Sequence, residues 1–146
     1  MKCNLSAHIC IACLVIGCEK RAGDLYDYES SSVADPVERY FSFDNWKGST
    51  VRSKVLYQEE ACIVTECDKD EFQARCARLG CGPIEDISAP VTVKYFVLTG
   101  SSSPKENSVQ VARGMQAWKI PDTRRWCLLM YYDDERHLCY MILQWL

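Results

Sequence analysis

The stretch Asp68-Lys69-Asp70-Glu71-Phe72-Gln73-Ala74-Arg75-Cys76-Ala77-Arg78-Leu79-Gly80 carries the start, the buried face and the stop of one helix. Asp68 is placed to cap the free amides of a first turn, and Glu71 three positions later completes a capping-box pattern. Phe72, Cys76 and Leu79 recur at i, i+4 and i+7, so they share one side of a helix. Gly80 supplies the left-handed residue that ends a helix, and Pro83 prevents its return. The spacing predicts a helix over 69–79, with Cys76 on the side turned toward a sheet.

Outward from this helix the pattern changes to strands. Val51, Ser53, Val55 and Tyr57 alternate with Arg52, Lys54 and Leu56, the period of a strand with one buried face. Residues 61–65 give a second short strand, and 91–98, after Pro90, a third. The segments 108–111 and 115–120 are weaker candidates. Residues 126–132 and 138–146 are strongly apolar and flank the turn-like Asp133-Asp134-Glu135-Arg136. About six short strands cradling one short helix make an α+β domain.

Ten cysteines in 146 residues suit an oxidising compartment, where thiols can be stapled as disulfides. Four of them, Cys3, Cys10, Cys13 and Cys18, lie in a segment where Lys2 precedes the apolar run Ile9 to Gly17. That run is too short to span a bilayer and suits the core of a secretory signal peptide over 1–18. Val15-Ile16-Gly17-Cys18 also resembles a lipobox, which as a minor reading makes Cys18 a lipid attachment point. Residues 19–47 read as an acidic flexible spacer, with Tyr26 and Tyr28 among carboxylates. A short helical turn within it opens at Asp35-Pro36. Six cysteines remain as disulfide candidates: Cys62, Cys67, Cys76, Cys81, Cys127 and Cys139. Their connectivity is open at this point, since six cysteines allow fifteen pairings.

Seventeen Lys and Arg against 20 Asp and Glu leave a net charge of −3, without the basic surplus that nucleic-acid binding uses. No stretch approaches the length of a transmembrane helix. His8 lies in the leader, so His137 is the single candidate base, and no nucleophile motif accompanies it. No phosphate-cradling glycine loop is present. The spacing Cys62-x4-Cys67-x8-Cys76-x4-Cys81 is tolerable for zinc, but the leader makes disulfides the better fit. The expectation is a chain that is not an enzyme.

The run Cys76-Ala77-Arg78-Leu79-Gly80-Cys81-Gly82 resembles the scavenger receptor cysteine-rich domain, which carries Cys-x-x-Leu-Gly-Cys-Gly at the end of its single helix. Ser88-Ala89-Pro90 is similar to a tripeptide that often follows in that family. Cys67-Asp68 matches the pair opening its next loop, and Val51 to Val55 sits where its first strand would be. Cys127, Glu135, Cys139 and Trp145 resemble its later landmarks. The resemblance runs over 48–146, with departures: the tryptophan-glycine before Cys67 is missing, the interval to Cys76 is short, and the last two family cysteines are absent. The domain is therefore read as divergent or incomplete.

The resemblance implies a secreted or cell-surface module that binds a protein, a polyanion or a microbial surface. It implies that Cys127 pairs with Cys139, while Cys81 has lost its usual partner and Cys62 is a substitute. It also implies a calcium site, for which Asp68, Asp70 and Glu135 are the candidates, although Lys69 weakens it. Arg75, Arg78, Arg124 and Arg125 are the candidate cations for a polyanionic ligand. Two alternatives stand beside this reading. Asp44-Asn45-Trp46-Lys47 and the Cys127–Cys139 interval faintly resemble tick salivary lipocalins, which implies a secreted carrier of a small ligand. The other is a secreted cysteine-rich interaction protein without further resemblance. A large apolar pocket would favour the carrier.

Overall fold

The computed structural model describes residues 26–33, 39–42, 45–58, 60–98, 104–120 and 125–145. The expected leader, with its four cysteines and the Cys18 lipidation reading, lies outside them. The fold is α+β. Strands β2 (Val51–Gln58), β3 (Glu60–Glu66), β4 (Glu85–Asp86), β7 (Gly114–Lys119), β8 (Trp126–Asp133) and β9 (Leu138–Trp145) form one antiparallel sheet, in the order β2-β3-β9-β8-β7-β4. Strand β1 (Tyr26–Val33) joins the β2 edge in parallel. Strands β5 (Val91–Leu98) and β6 (Pro104–Val111) form a separate two-stranded sheet. Helix α1 spans Lys69–Leu79.

The central position of β3 and β9 follows from their composition. Every residue of β3 between its two ends is buried, and β9 is buried from Cys139 to Leu143. Alternation then splits each strand between two apolar layers. Ile63, Met141, Leu143, Leu128 and Met130 meet Phe72, Cys76 and Leu79 of α1. Cys62, Val64, Tyr140 and Ile142 meet Val93 and Val111 of the β5–β6 hairpin. Each such aliphatic side chain contributes about 1.5–3 kcal/mol on burial, so the two layers together hold the hairpin and the helix to opposite faces.

Helix α1 begins and ends where its sequence says. Asp68 accepts from the Glu71 amide at 2.7 Å, and Gly80 adopts φ 70° as the C-terminal cap. The reciprocal half of the expected capping box is replaced: the Glu71 carboxylate accepts from Ser49 and Arg75 instead. Arg75 shares the buried side with Phe72 and Cys76.

Two expectations change. Residues 26–33, read as part of a flexible spacer, form β1. An edge strand needs a partner on one side only, and its main-chain bonds tolerate a polar sequence. The sheet system also holds more strands than the six expected, because 26–33 and 85–86 pair as well, while the expected 108–111 segment extends back to Pro104. Residues 39–41 are helical, while the expected opening of that turn at Asp35-Pro36 lies outside the described residues. Tyr40 and Phe41 are buried there, and the Tyr40 ring lies 4.9 Å from that of Trp126.

Candidate functional site

Where β3 ends and β9 begins, the two strands, the N-terminus of α1 and the β8–β9 turn surround an open cleft of about 560 Å³. Its walls include Arg52, Glu66, Cys67, Asp68, Arg136 and His137. The β3–β9 ladder builds one wall, with Glu66 opposite Leu138 and the Cys67 amide donating to the His137 carbonyl at 2.9 Å. Asp68 sits at the rim because it must face the first turn of α1. Arg52 reaches the cleft from β2 and pairs with Glu66.

The β8–β9 turn supplies the other wall. Asp133 is fully buried, and its Oδ1 accepts from the amides of Glu135 and Arg136 at 3.0 and 3.1 Å. Its Oδ2 pairs with the Arg136 guanidinium, which also donates to the Gln110 carbonyl at 3.2 Å. His137 closes the turn in the left-handed region, φ 53°. Its Nδ1 lies 3.3 Å from the Tyr132 hydroxyl. The cleft thus presents Arg52, Glu66, Asp68 and Arg136, charges of both signs, on its walls.

One thiol, that of Cys67, lines the cleft. Cys67, Cys76 and Cys139 belong to the helix-side core. The Cys67 thiol donates to the Asp68 carbonyl at 3.2 Å, and the neighbouring Cys139 thiol together with burial raises its pKa far above the ordinary thiol range. Burial also pushes the Cys76 thiol up to about 12. A protonated thiol is a poor nucleophile. The cleft therefore offers charge recognition more readily than thiolate chemistry.

The other candidate residues disperse. Cys62 lies in the hairpin-side core, and burial pushes its thiol up to about 12. Cys81 packs at the margin of the helix-side core, so the sheet stands between it and Cys62, and that pairing is not one the fold can make. The Cys127–Cys139 pairing fails on register. Cys127 is opposite Gln144 and Cys139 is opposite Tyr132, which separates them by about 17 Å along the strands at ~3.4 Å per residue. A bridge tolerates Cα atoms no more than ~7 Å apart.

The cation and metal candidates do not converge either. Arg75 is 1% exposed and bonded inside the fold, so it is not a surface cation. Arg78 donates to the Asn45 carbonyl at 2.8 Å, Arg125 is exposed, and Arg124 lies outside the described residues. Asp68 is engaged as a helix cap, Asp70 is exposed on α1, and Glu135 faces Arg113 at 3.7 Å. Among the described residues, no group of three or more His, Cys, Asp or Glu is placed to hold a metal ion.

Arg52, Glu66 and Arg136 were not picked out by sequence reasoning. A usable signal existed for two of them. Once 51–57 and 61–65 are taken as a hairpin, Arg52 and Glu66 fall at neighbouring exposed positions of opposite charge. Comparisons with protein-family models, curated proteins and solved structures found no match.

Proposed function

We propose that this chain is an extracellular binding module whose ligand is another protein, and that the cleft between the β8–β9 turn and the start of α1 is its recognition surface. One observation carries the reading. The cleft is open and walled by Arg52 with Glu66, by Asp68 and by Arg136, a mosaic of both signs in which the buried Asp133 holds Arg136 from behind. Such a mosaic suits the polar surface of a folded partner, where complementary charges set orientation and register. A polyanion asks for an excess of cations, and Arg75 is withdrawn from that role by burial. A small apolar ligand asks for an enclosed apolar chamber, whereas both faces of the main sheet are covered by α1 and the hairpin. The leader-like run at Ile9 to Gly17 and the cysteine content support placement outside the cell.

The helix-end motif from Cys76 to Gly82 supports kinship with scavenger-receptor-like modules in role. The register of Cys127 and Cys139 argues against the family's bridge, so the binding role is proposed without it.

The test compares three ligand classes on the purified chain. A fluorescent fatty acid should show no saturable binding, and a heparin column should release the protein at or below physiological salt. A screen of purified extracellular proteins should give a ligand whose affinity falls at least about tenfold in Arg52→Ala or Arg136→Ala, as loss of one oriented charge pair implies. Stoichiometric fatty-acid binding, or heparin retention to high salt, would overturn the proposal.

A further inference from the structure

We propose that Cys67 and Cys139 form a disulfide that locks the end of β3 to the start of β9, and that it is made and broken through the cleft above it. The two residues stand as thiols in the structure. Three observations bring them together. The β3–β9 register sets Thr65 opposite Cys139, and the Cys67 amide donates to the His137 carbonyl, so Cys67 and Cys139 are diagonal neighbours across the pair. Both side chains point into the helix-side core. The Cys139 thiol is also the foremost of the neighbours that raise the Cys67 pKa, in keeping with that placement. Cys67 lies one residue beyond β3, outside regular strand geometry, where the backbone has room for the small shift a bridge needs.

The remaining cysteines are worse partners. Cys62 is across the sheet, and Cys127 lies at the far end of β8. Cys76 shares the layer, but it and Cys81 belong to α1 and the residue beyond its cap rather than to the strand pair that sets Cys67 beside Cys139.

Access decides the order of steps. Cys67 is 5% exposed and lines the cleft, while Cys139 is fully buried behind it. A small disulfide such as oxidised glutathione is the oxidant. Cys67 gives up its proton and attacks one sulfur, forming a mixed disulfide and expelling one glutathione thiolate, which takes up a proton. Cys139 then gives up its proton and attacks the Cys67 sulfur, forming the protein disulfide and expelling the second glutathione. Two protein thiols are oxidised and one glutathione disulfide is reduced to two thiols. Since the Cys67 thiol, which opens the exchange, is held protonated by its Cys139 neighbour and by burial, exchange on the folded protein is slow at neutral pH and accelerates with alkalinity. The proposal is independent of what the cleft binds.

The experiment is disulfide mapping of the full chain after incubation with oxidised glutathione. Free thiols are blocked with iodoacetamide, and the protein is cleaved after Glu and after Lys and Arg. Cuts at Glu66, Lys69, Arg75, Arg78 and Arg136 place Cys67, Cys76, Cys81 and Cys139 on separate peptides. The expected product joins the Cys67 and Cys139 peptides and disappears on reduction. A second measurement follows the melting temperature with and without reductant. Wild type and Cys76→Ala should both lose stability on reduction, and a Cys67→Ala/Cys139→Ala double variant should not respond in this way. Recovery of Cys67 or Cys139 alkylated, or Cys67 joined to Cys76, would overturn the proposal. So would a Cys76→Ala variant that no longer responds to reductant.

Discussion

Arg75 on the buried side of α1 donates from Nη1 to the Thr65 hydroxyl of β3 at 2.7 Å, inside the layer between helix and sheet. Its Nη2 donates to Ser49 and to Glu71, both at 2.6 Å, and Ser49 in turn donates to the same Glu71 oxygen at 2.9 Å. One guanidinium therefore ties together the helix, the central strand and the loop before β2.

Arg75→Ala should destabilise the fold by about 2–4 kcal/mol, because the buried Thr65 hydroxyl loses its partner and a cavity opens. Arg75→Met, which keeps most of the volume, should cost less. Urea unfolding followed by circular dichroism gives both values. A loss below about 0.5 kcal/mol in the alanine variant would mean the network contributes nothing net.

Ser53 presents the opposite case. Its side chain is buried, and its hydroxyl has no hydrogen-bond partner among the described residues. Replacing a buried, unsatisfied hydroxyl removes a desolvation cost, so Ser53→Ala should raise stability by about 1 kcal/mol. A lower urea midpoint in this variant would contradict the assignment.

Gly114 opens β7 at φ 149°, and a Cβ added there would lie 1.8 Å from the Tyr132 carbonyl oxygen. That contact is with backbone, so no side-chain rotation relieves it. Gly114→Ala should cost about 3 kcal/mol or more, both from strain and from disturbing the pairing of Gly114 with Asp133. The same urea titration measures it, and near-wild-type stability would refute the close approach.

Burial raises the Cys62 and Cys76 thiols from 9.0 to about 12. In the unfolded chain these thiols ionise near their ordinary value, while in the folded chain they stay protonated. The unfolded state thus sheds protons first, and stability that is complete below pH 9 declines as pH climbs toward 12. The limiting slope is about 1.4 kcal/mol per pH unit for each thiol. Urea unfolding between pH 7 and 10.5 should show the decline, and Cys62→Ala should make it shallower. An unchanged slope in that variant would exclude Cys62 as a source. Cys81 is the partly exposed thiol of the six, so it should alkylate before Cys62 in a timed iodoacetamide reaction.

Helix α1 was legible because its signals are local: a cap, a face and a stop lie within thirteen residues of one another. Strands β2 and β3 were legible through alternation and a short apolar run. The placement of β3 beside β9 was not, since nothing in residues 60–66 names a partner more than seventy residues away. Strand β1 was missed because Asp27, Glu29 and three serines carry no burial pattern, and its pairing is a main-chain affair. Arg75 was mistaken for a surface cation because composition marks arginine as exposed. Only the positions of Ser49, Thr65 and Glu71 around it reveal the buried role.

The adjacency of β3 and β9 has a consequence for synthesis. As the polypeptide leaves the ribosome, β3 appears early and its long-term neighbour appears late. Until then β3 offers an unpaired apolar edge, and the intervening helix and hairpin have only part of a platform to rest on. Assembly of the central sheet must wait for nearly the whole chain, and such long-range closure is slow. Removing residues 138–145 would not trim a margin. It would take a strand from the middle and leave two sticky edges where there had been none.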